Sequence, residues 1–313
     1  MSSSVNSIAS LRPSGRKLRQ QRFERIVLAV LSVIAASGVL ITTGVVVALV
    51  GPTIDFFREV RIGEFLGSTR WYPLYEPPEF GVWPLVVGTF FIMLIAVTIA
   101  VPGGMAIAFF LTEYASTRTR RILKPMLEIL AGIPTVVFGF FALYFVSPNI
   151  AAKIWPIGEV GFYSGLAAGI TVGLMILPMM TTLSEDAMTA VPRALAEGAY
   201  ALGATKREVC TGVIFPAALS GIIAAAVIAM SRAIGETTIV LLAAGSDAVF
   251  SFNPGNPMQT MASFIGFAGL GDQPTDSTGY RTIFAVGSLL FVITFVLNVI
   301  SRRIVTRFRE VYE

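Results

Sequence analysis

AALSGIIAAAVIAMSRAIGETTIVLLAA, residues Ala217–Ala244, is a run of 28 residues with only two charges, Arg232 and Glu236. A helix needs roughly 20 mostly apolar residues to cross a hydrocarbon core of about 30 Å, so this run predicts a membrane span. An arginine near the centre of such a span costs roughly 2.5–3.5 kcal/mol on insertion scales, which makes Arg232 a functional candidate. Glu236 follows four residues on, about one helical turn away on the same face. The two form either a self-neutralising structural pair or part of an anion site. Arg-then-Glu is the weaker orientation for a helical pair, and two leucines would serve a span equally well, so the anion reading carries weight. The planar guanidinium fork matches a tetrahedral oxyanion, and Ser231, Thr237 and Thr238 add hydroxyl donors.

Outward from this run, the whole chain has the same character. It is 55% hydrophobic and 13% charged, with a mean hydropathy of +0.76. Soluble domains run near 25% charged. Five further stretches qualify as spans: Ile26–Val50, Val82–Leu111, Pro125–Val146, Phe162–Thr181 and Thr282–Ile300. The first is about twice a signal-peptide core in length and reads as an uncleaved anchor. Of the 23 lysines and arginines, 17 lie in the segment before the first span, the second and fourth loops, and the C-terminal segment. They include Arg12, Arg25, Arg118, Arg120, Lys124, Arg193, Lys206, Arg302 and Arg309. Arg58, Arg61, Arg70, Lys153 and Arg281 lie in the other loops. The positive-inside rule therefore predicts that both termini are cytoplasmic, as an even number of spans requires. The expected organisation is a basic tail (1–25), a first span (26–50), an extracytoplasmic loop (51–81), a five-helix core (82–301) and a C-terminal tail (302–313). Residues 51–81 and 245–281 are long and rich in Gly, Pro and aromatics. They read as solvated connectors or as a docking rim for a soluble partner.

Several chemistries are excluded. There is no histidine, and Cys210 is the sole cysteine, which removes a disulfide framework, the commonest general base and the commonest metal ligand. No catalytic residue, metal site or cofactor site is expected. The basic residues flank apolar runs, which fits membrane topology and not nucleic-acid binding. No GxxxxGK[ST] loop occurs, so the chain carries no nucleotide-binding loop of that kind. Pro102, Pro134 and Pro178 fall within apolar runs and are candidate helix kinks.

Between the fourth and fifth spans, within 182–216, stands Glu197-Gly198-Ala199, then Gly203, then nine residues to Val213-Ile214-Phe215-Pro216. Pro192 suits a helix start, Ala194, Leu195, Ala199 and Leu202 give an apolar stripe, and Gly203 is a natural stop. A short amphipathic helix between spans lies in the interface or inserts into a partner. This spacing resembles the EAA loop of permeases of ATP-binding-cassette importers, with Gly198, Val213 and Phe215 as mild departures. The resemblance implies a coupling helix, formed around Glu197, Gly198, Ala199, Leu202 and Gly203 with Phe215 and Pro216 at its exit, that docks on a separate ATPase.

The resemblance narrows further. Ser231–Thr238 with Ala243-Ala244-Gly245, Leu130–Gly139, Tyr280–Gly287 and Phe308–Glu313 are similar to the PstC-type permease family of the bacterial phosphate-specific importer. That likeness runs from about residue 80 onward. It implies an all-α type I importer fold in the bacterial inner membrane and a second, PstA-type permease subunit. It also implies two ATPase subunits that bind the ATP-Mg, and a periplasmic phosphate-binding protein. Phosphate at neutral pH retains a P–OH proton that a carboxylate such as Glu236 accepts; sulfate has none. The alternatives are the sister PstA-type subunit, a sulfate or molybdate permease, a passive anion channel and a membrane enzyme. The Thr237-Thr238-Ile239 sequence argues against the sister subunit, and a channel has no use for an EAA loop.

Overall fold

The structure, a computed structural model, describes residues 15–156 and 158–307. Arg12 and Arg309 of the two basic tails, and the terminal stretch Phe308–Glu313, lie outside the described residues. The chain divides into two units, residues 1–51 and 52–313. Helix α1 (Gly15–Glu59) contains that boundary and extends beyond the apolar run at both ends. In the first unit Leu28, Val33, Leu40 and Ile41 are exposed.

The second unit continues with α2 (Ile62–Gly67), a hairpin of β1 (Trp71–Tyr72) and β2 (Glu79–Phe80), and α3 (Trp83–Phe109). α3 runs on as a π-helical turn to Tyr114. Next come α4 (Thr117–Ala131), α5 (Thr135–Phe141), a π-helical stretch (Ala142–Ala151) and α6 (Ala152–Ile154). α7 (Gly165–Thr189), α8 (Arg193–Ala201) and α9 (Lys206–Val209) follow, and a π turn (Cys210–Ile214) leads into α10 (Phe215–Ile234). The chain finishes with α11 (Thr238–Ala243), α12 (Met261–Gly269) and α13 (Thr278–Arg307). Among the described residues, six helical stretches are long and apolar enough to span a bilayer.

Two spans differ from the sequence expectation for a physical reason. The third runs Thr135–Ile154, not Pro125–Val146. Gly132-Ile133-Pro134 ends α4, and Pro134, which cannot donate a backbone hydrogen bond, becomes the cap from which α5 starts. Pro125 instead lies inside α4, an amphipathic helix with no buried residue. The fifth runs Lys206–Ile234 and stops there, so Ala217–Ala244 is two helices rather than one. Pro102 and Pro178 lie within helices that continue past them. The 51–81 and 245–281 segments are not plain loops either, since they hold the end of α1, α2, the hairpin and α12.

α7 is the most buried span and packs chiefly against α3. Small residues set that close approach: a Cβ on Gly173 would lie 3.0 Å from the Ala96 carbonyl oxygen, and one on Gly104 2.7 Å from the Met180 side chain. Helices in lipid gain their association from such van der Waals packing, which needs backbones close together. The main core joins Ile92, Ala96, Val172, Ile176, Met180, Ala225 and Ala229. A second core at one end of the unit is aromatic, with Phe56, Phe65, Trp71, Phe80 and Phe264 meeting edge to face. Edge-to-face rings pair the positive edge of one with the negative face of the next.

Candidate functional site: a broken helix beside an arginine-lined cavity

Arg232 sits in the last turn of α10, and Glu236 lies beyond its end. Gly235 ends the helix, and the Glu236 N–H still donates to the Ala233 carbonyl (3.2 Å). Glu236 then uses both carboxylate oxygens. Oε2 accepts from Arg232 Nη1 at 2.9 Å, while Oε1 accepts from the N–H groups of Thr238 (3.1 Å) and Ile239 (3.2 Å). The carboxylate thus caps α11 and holds the guanidinium across the break between two helices. Its residue is 3% exposed, so three donors satisfying one buried charge is the arrangement burial demands.

The Arg232 side chain is 45% exposed. Its Nη2 approaches Met175 Sδ (3.7 Å) on α7, and three of its five N–H donors have no acceptor among the described residues. They belong to a residue lining a cavity of about 400 Å³ between α4, α5, α7 and α10, whose wall includes Glu128, Thr135, Met175, Met179 and Thr182.

Of the five residues expected along the path, only Arg232 lines this cavity. Glu236 supports it from behind. Ser231 Oγ is turned to Asn298 on α13 (3.4 Å), Thr237 Oγ1 bonds the Gly235 carbonyl (3.4 Å), and Thr238 contributes its backbone N–H. Thr135, Met175 and Thr182 were not singled out from sequence, because their place on the wall depends on how α5 and α7 pack. Among the described residues no group of three or more Cys, Asp or Glu side chains is placed to hold a metal.

Sequence reasoning also missed Glu185. It is 1% exposed in α7 and pairs with Arg120 and, at 3.3 Å, with Lys124, both on α4. Ser116 caps α4 by accepting from the Thr119 N–H (3.1 Å). α4 therefore carries cations to Glu185 near its start and lines the Arg232 cavity near its end.

The EAA-type loop folds as a second candidate site. Pro192 is the cap of α8, and Gly203, at φ +86°, ends it in the left-handed conformation that favours glycine. The Ala204 N–H reaches the Ala199 carbonyl (3.2 Å) and the Gly203 N–H the Tyr200 carbonyl (2.9 Å), the paired bonds of a Schellman turn. Thr205 and Glu208 then form a capping box that starts α9. The predicted apolar stripe divides. Ala199, with Ala196, packs inward on the main core, while Leu195, Tyr200 and Leu202 face out, Leu202 at 91% exposure. Glu197 and Gly198 are exposed beside them. Phe215 packs on Phe109 (ring centroids 5.6 Å apart), and Pro216 falls in the first turn of α10.

Residues 100–310 match the family model of the binding-protein-dependent transport system inner membrane component. The chain belongs to that family. This permease is thus a transport subunit and not an enzyme, and a multi-pass protein of the inner membrane. It is 34% identical over 93% of both chains to the "Probable ABC transporter permease protein YqgH" of Bacillus subtilis. It is 33% identical to the phosphate transport system permease protein PstC of Mesorhizobium japonicum, over 78% of each chain. To the PstC of Xylella fastidiosa it is 30% identical over 94% of each. Among solved structures, the permease fold is shared with a bacterial ABC transporter for import of the acidic polysaccharide alginate. There the TM-score is 0.63 at 13% identity, covering 93% of this chain and 100% of that one. The inward-facing MetNI methionine transporter gives 0.55 at 20% identity over 74% and 95%.

Proposed function

We propose that this permease moves inorganic phosphate inward across the bacterial inner membrane by alternating access, driven by ATP hydrolysed on separate subunits. Support comes from the PstC names of its relatives and from Arg232, which lines a cavity at a break in a span with unspent N–H donors. The fork grips a tetrahedral anion, and Glu236 anchors the fork from behind while its charge opposes fully deprotonated oxyanions. Driving an anion into a negative-inside cell costs about 2.3 kcal/mol per charge per 100 mV, so the site needs an energy-receiving loop. α8 and its outward Leu195, Tyr200 and Leu202 supply a surface for an ATPase on the cytoplasmic side, where both termini lie. A second, PstA-type permease completes the pathway, two ATPases bind the ATP-Mg, and a periplasmic phosphate-binding protein delivers the substrate. The test is ATP-dependent phosphate uptake in vesicles holding the whole complex, with sulfate as competitor. Phosphate uptake that excess sulfate leaves unchanged is expected; sulfate uptake in its place, or phosphate flux without ATP, contradicts the reading.

A further inference from the structure

The cavity lined by Arg232 holds a second charge. Of the residues on its wall only Arg232 and Glu128 are charged, and Glu128 is exposed there in the last turn of α4. Its carboxylate has no ion pair and no hydrogen bond among the described residues. Lys124, four residues earlier, is the cation that helical spacing offers it, but Lys124 is turned to Glu185 of α7 at 3.3 Å. Arg120 is held by the same Glu185, and the exposed Arg118 and Arg121 do not line the cavity. The last turn of a helix already carries negative partial charge on its free carbonyls, so an acidic side chain is unfavourable there. Glu128 therefore stabilises neither the helix it stands on nor a neighbour.

Its place along the cavity gives it a use. The wall follows α7 from Met175, which Arg232 touches, to Thr182, a rise of about 10 Å. Glu185, which clamps Lys124, lies one turn beyond Thr182, and Glu128 is one turn from Lys124, so Glu128 belongs to that end of the cavity. From that end the chain runs on into α8, which in the orientation proposed above is the cytoplasmic side. Glu236 already neutralises Arg232, so Glu128 leaves the site with one negative charge in excess. An anion leaving Arg232 for the cytoplasm passes this carboxylate, and an anion arriving from the cytoplasm meets it first. The second direction matters for a phosphate importer, because each ATP hydrolysed by its partners sets phosphate free on the cytoplasmic side.

We propose that Glu128 is a release residue: its charge weakens the hold of Arg232 on phosphate once the cavity opens inward, and it keeps cytoplasmic phosphate from rebinding. This rests on the importer reading above. The experiment measures the initial rate of ATP-driven import of labelled phosphate by vesicles holding the whole complex, at saturating delivery protein, with increasing unlabelled phosphate sealed inside. Glu128→Gln should reach half-inhibition at about tenfold less internal phosphate than the wild type, the effect of one unit charge at roughly 10 Å with an effective dielectric near 20. Glu128→Asp should stay near the wild type, and the melting temperature of either variant in detergent should not move, since the side chain holds no partner. Ala131→Glu places a carboxylate at an exposed position on the same wall, one turn further along α4. Added to Glu128→Gln, it should restore tolerance of internal phosphate, as a packing role for Glu128 would not allow. Equal half-inhibition in the wild type and Glu128→Gln, or no restoration by Ala131→Glu, would overturn the proposal. Should Glu128→Gln fail to assemble, Ala131→Glu alone decides: greater tolerance than the wild type supports the proposal, and equal tolerance overturns it. A wild type that imports sulfate in place of phosphate would overturn the substrate reading, while the ratio of half-inhibiting concentrations, taken with internal sulfate, would still decide the role of Glu128.

Discussion

Glu185 of α7 and Lys124 of α4 pair at 3.3 Å, and Arg120 shares the same carboxylate. The carboxylate is 1% exposed whereas the two cations are 36% and 39% exposed, so the three are not equivalent. Glu185→Gln leaves two cations that water can solvate. Arg120→Ala with Lys124→Ala strands a buried charge, a loss of about 3–5 kcal/mol. Thermal unfolding of the purified complex in detergent should therefore rank the double variant well below Glu185→Gln, with Lys124→Ala alone nearest the wild type. The reverse order would mean that Glu185 is solvated through a route the packing does not show.

Close packing of α3 on α7 predicts a second effect. Gly173→Ala places a Cβ 3.0 Å from the Ala96 carbonyl oxygen, and backbone cannot step aside as a flexible side chain can. The expected loss is about 1–3 kcal/mol, seen as a lower melting temperature in detergent. Gly198→Ala, where an added Cβ meets nothing within 4 Å, is the control and should unfold as the wild type does.

A third prediction concerns coupling. Leu202 is 91% exposed at the end of α8, so Leu202→Asp disturbs no packing within the chain. Membrane insertion and assembly should survive while ATP-driven uptake falls at least tenfold. Ala199→Asp is a different experiment, because Ala199 packs on the core and a buried carboxylate there also destabilises the fold. Normal uptake by Leu202→Asp would remove α8 as the energy-receiving surface.

Glu236→Gln separates support from selectivity. The amide keeps an acceptor for the Thr238 and Ile239 N–H groups, so α11 stays capped. It removes the charge that repels fully deprotonated oxyanions. Stimulation of ATP hydrolysis by sulfate relative to phosphate should rise in reconstituted vesicles; both responses falling in the same ratio would give Glu236 a supporting role alone.

The broad architecture was legible in the residues because hydropathy and turn chemistry are local. Gly203 at φ +86° and Pro134 at the start of α5 act through their own backbone constraints, whatever surrounds them. The break after Arg232 was not legible as such. Every residue from Ile239 to Ala244 is apolar or small, so hydropathy carries the span straight through a helix end made by Gly235 and by Glu236 bonding forward to two N–H groups. Only the Gly-Glu-Thr-Thr sequence hinted at it. Ser231 and Thr237 looked like donors by proximity in sequence, but at the end of a helix adjacent residues point in different directions, toward α13 and toward the local backbone. Glu185 gave no signal, since the partners that justify its burial are 65 and 61 residues away in the chain.

The most direct measurement is ATP-driven phosphate uptake by vesicles carrying Arg232→Met together with Glu236→Gln. The pair is neutral, keeps the α11 cap and fills similar space, so a purely structural ion pair would be replaced without harm to transport. Because phosphate loses its charged fork, uptake should fall at least about tenfold, the value of one charge-assisted hydrogen bond, while the complex assembles in normal yield. Uptake near the wild-type rate would contradict the anion-site role of Arg232.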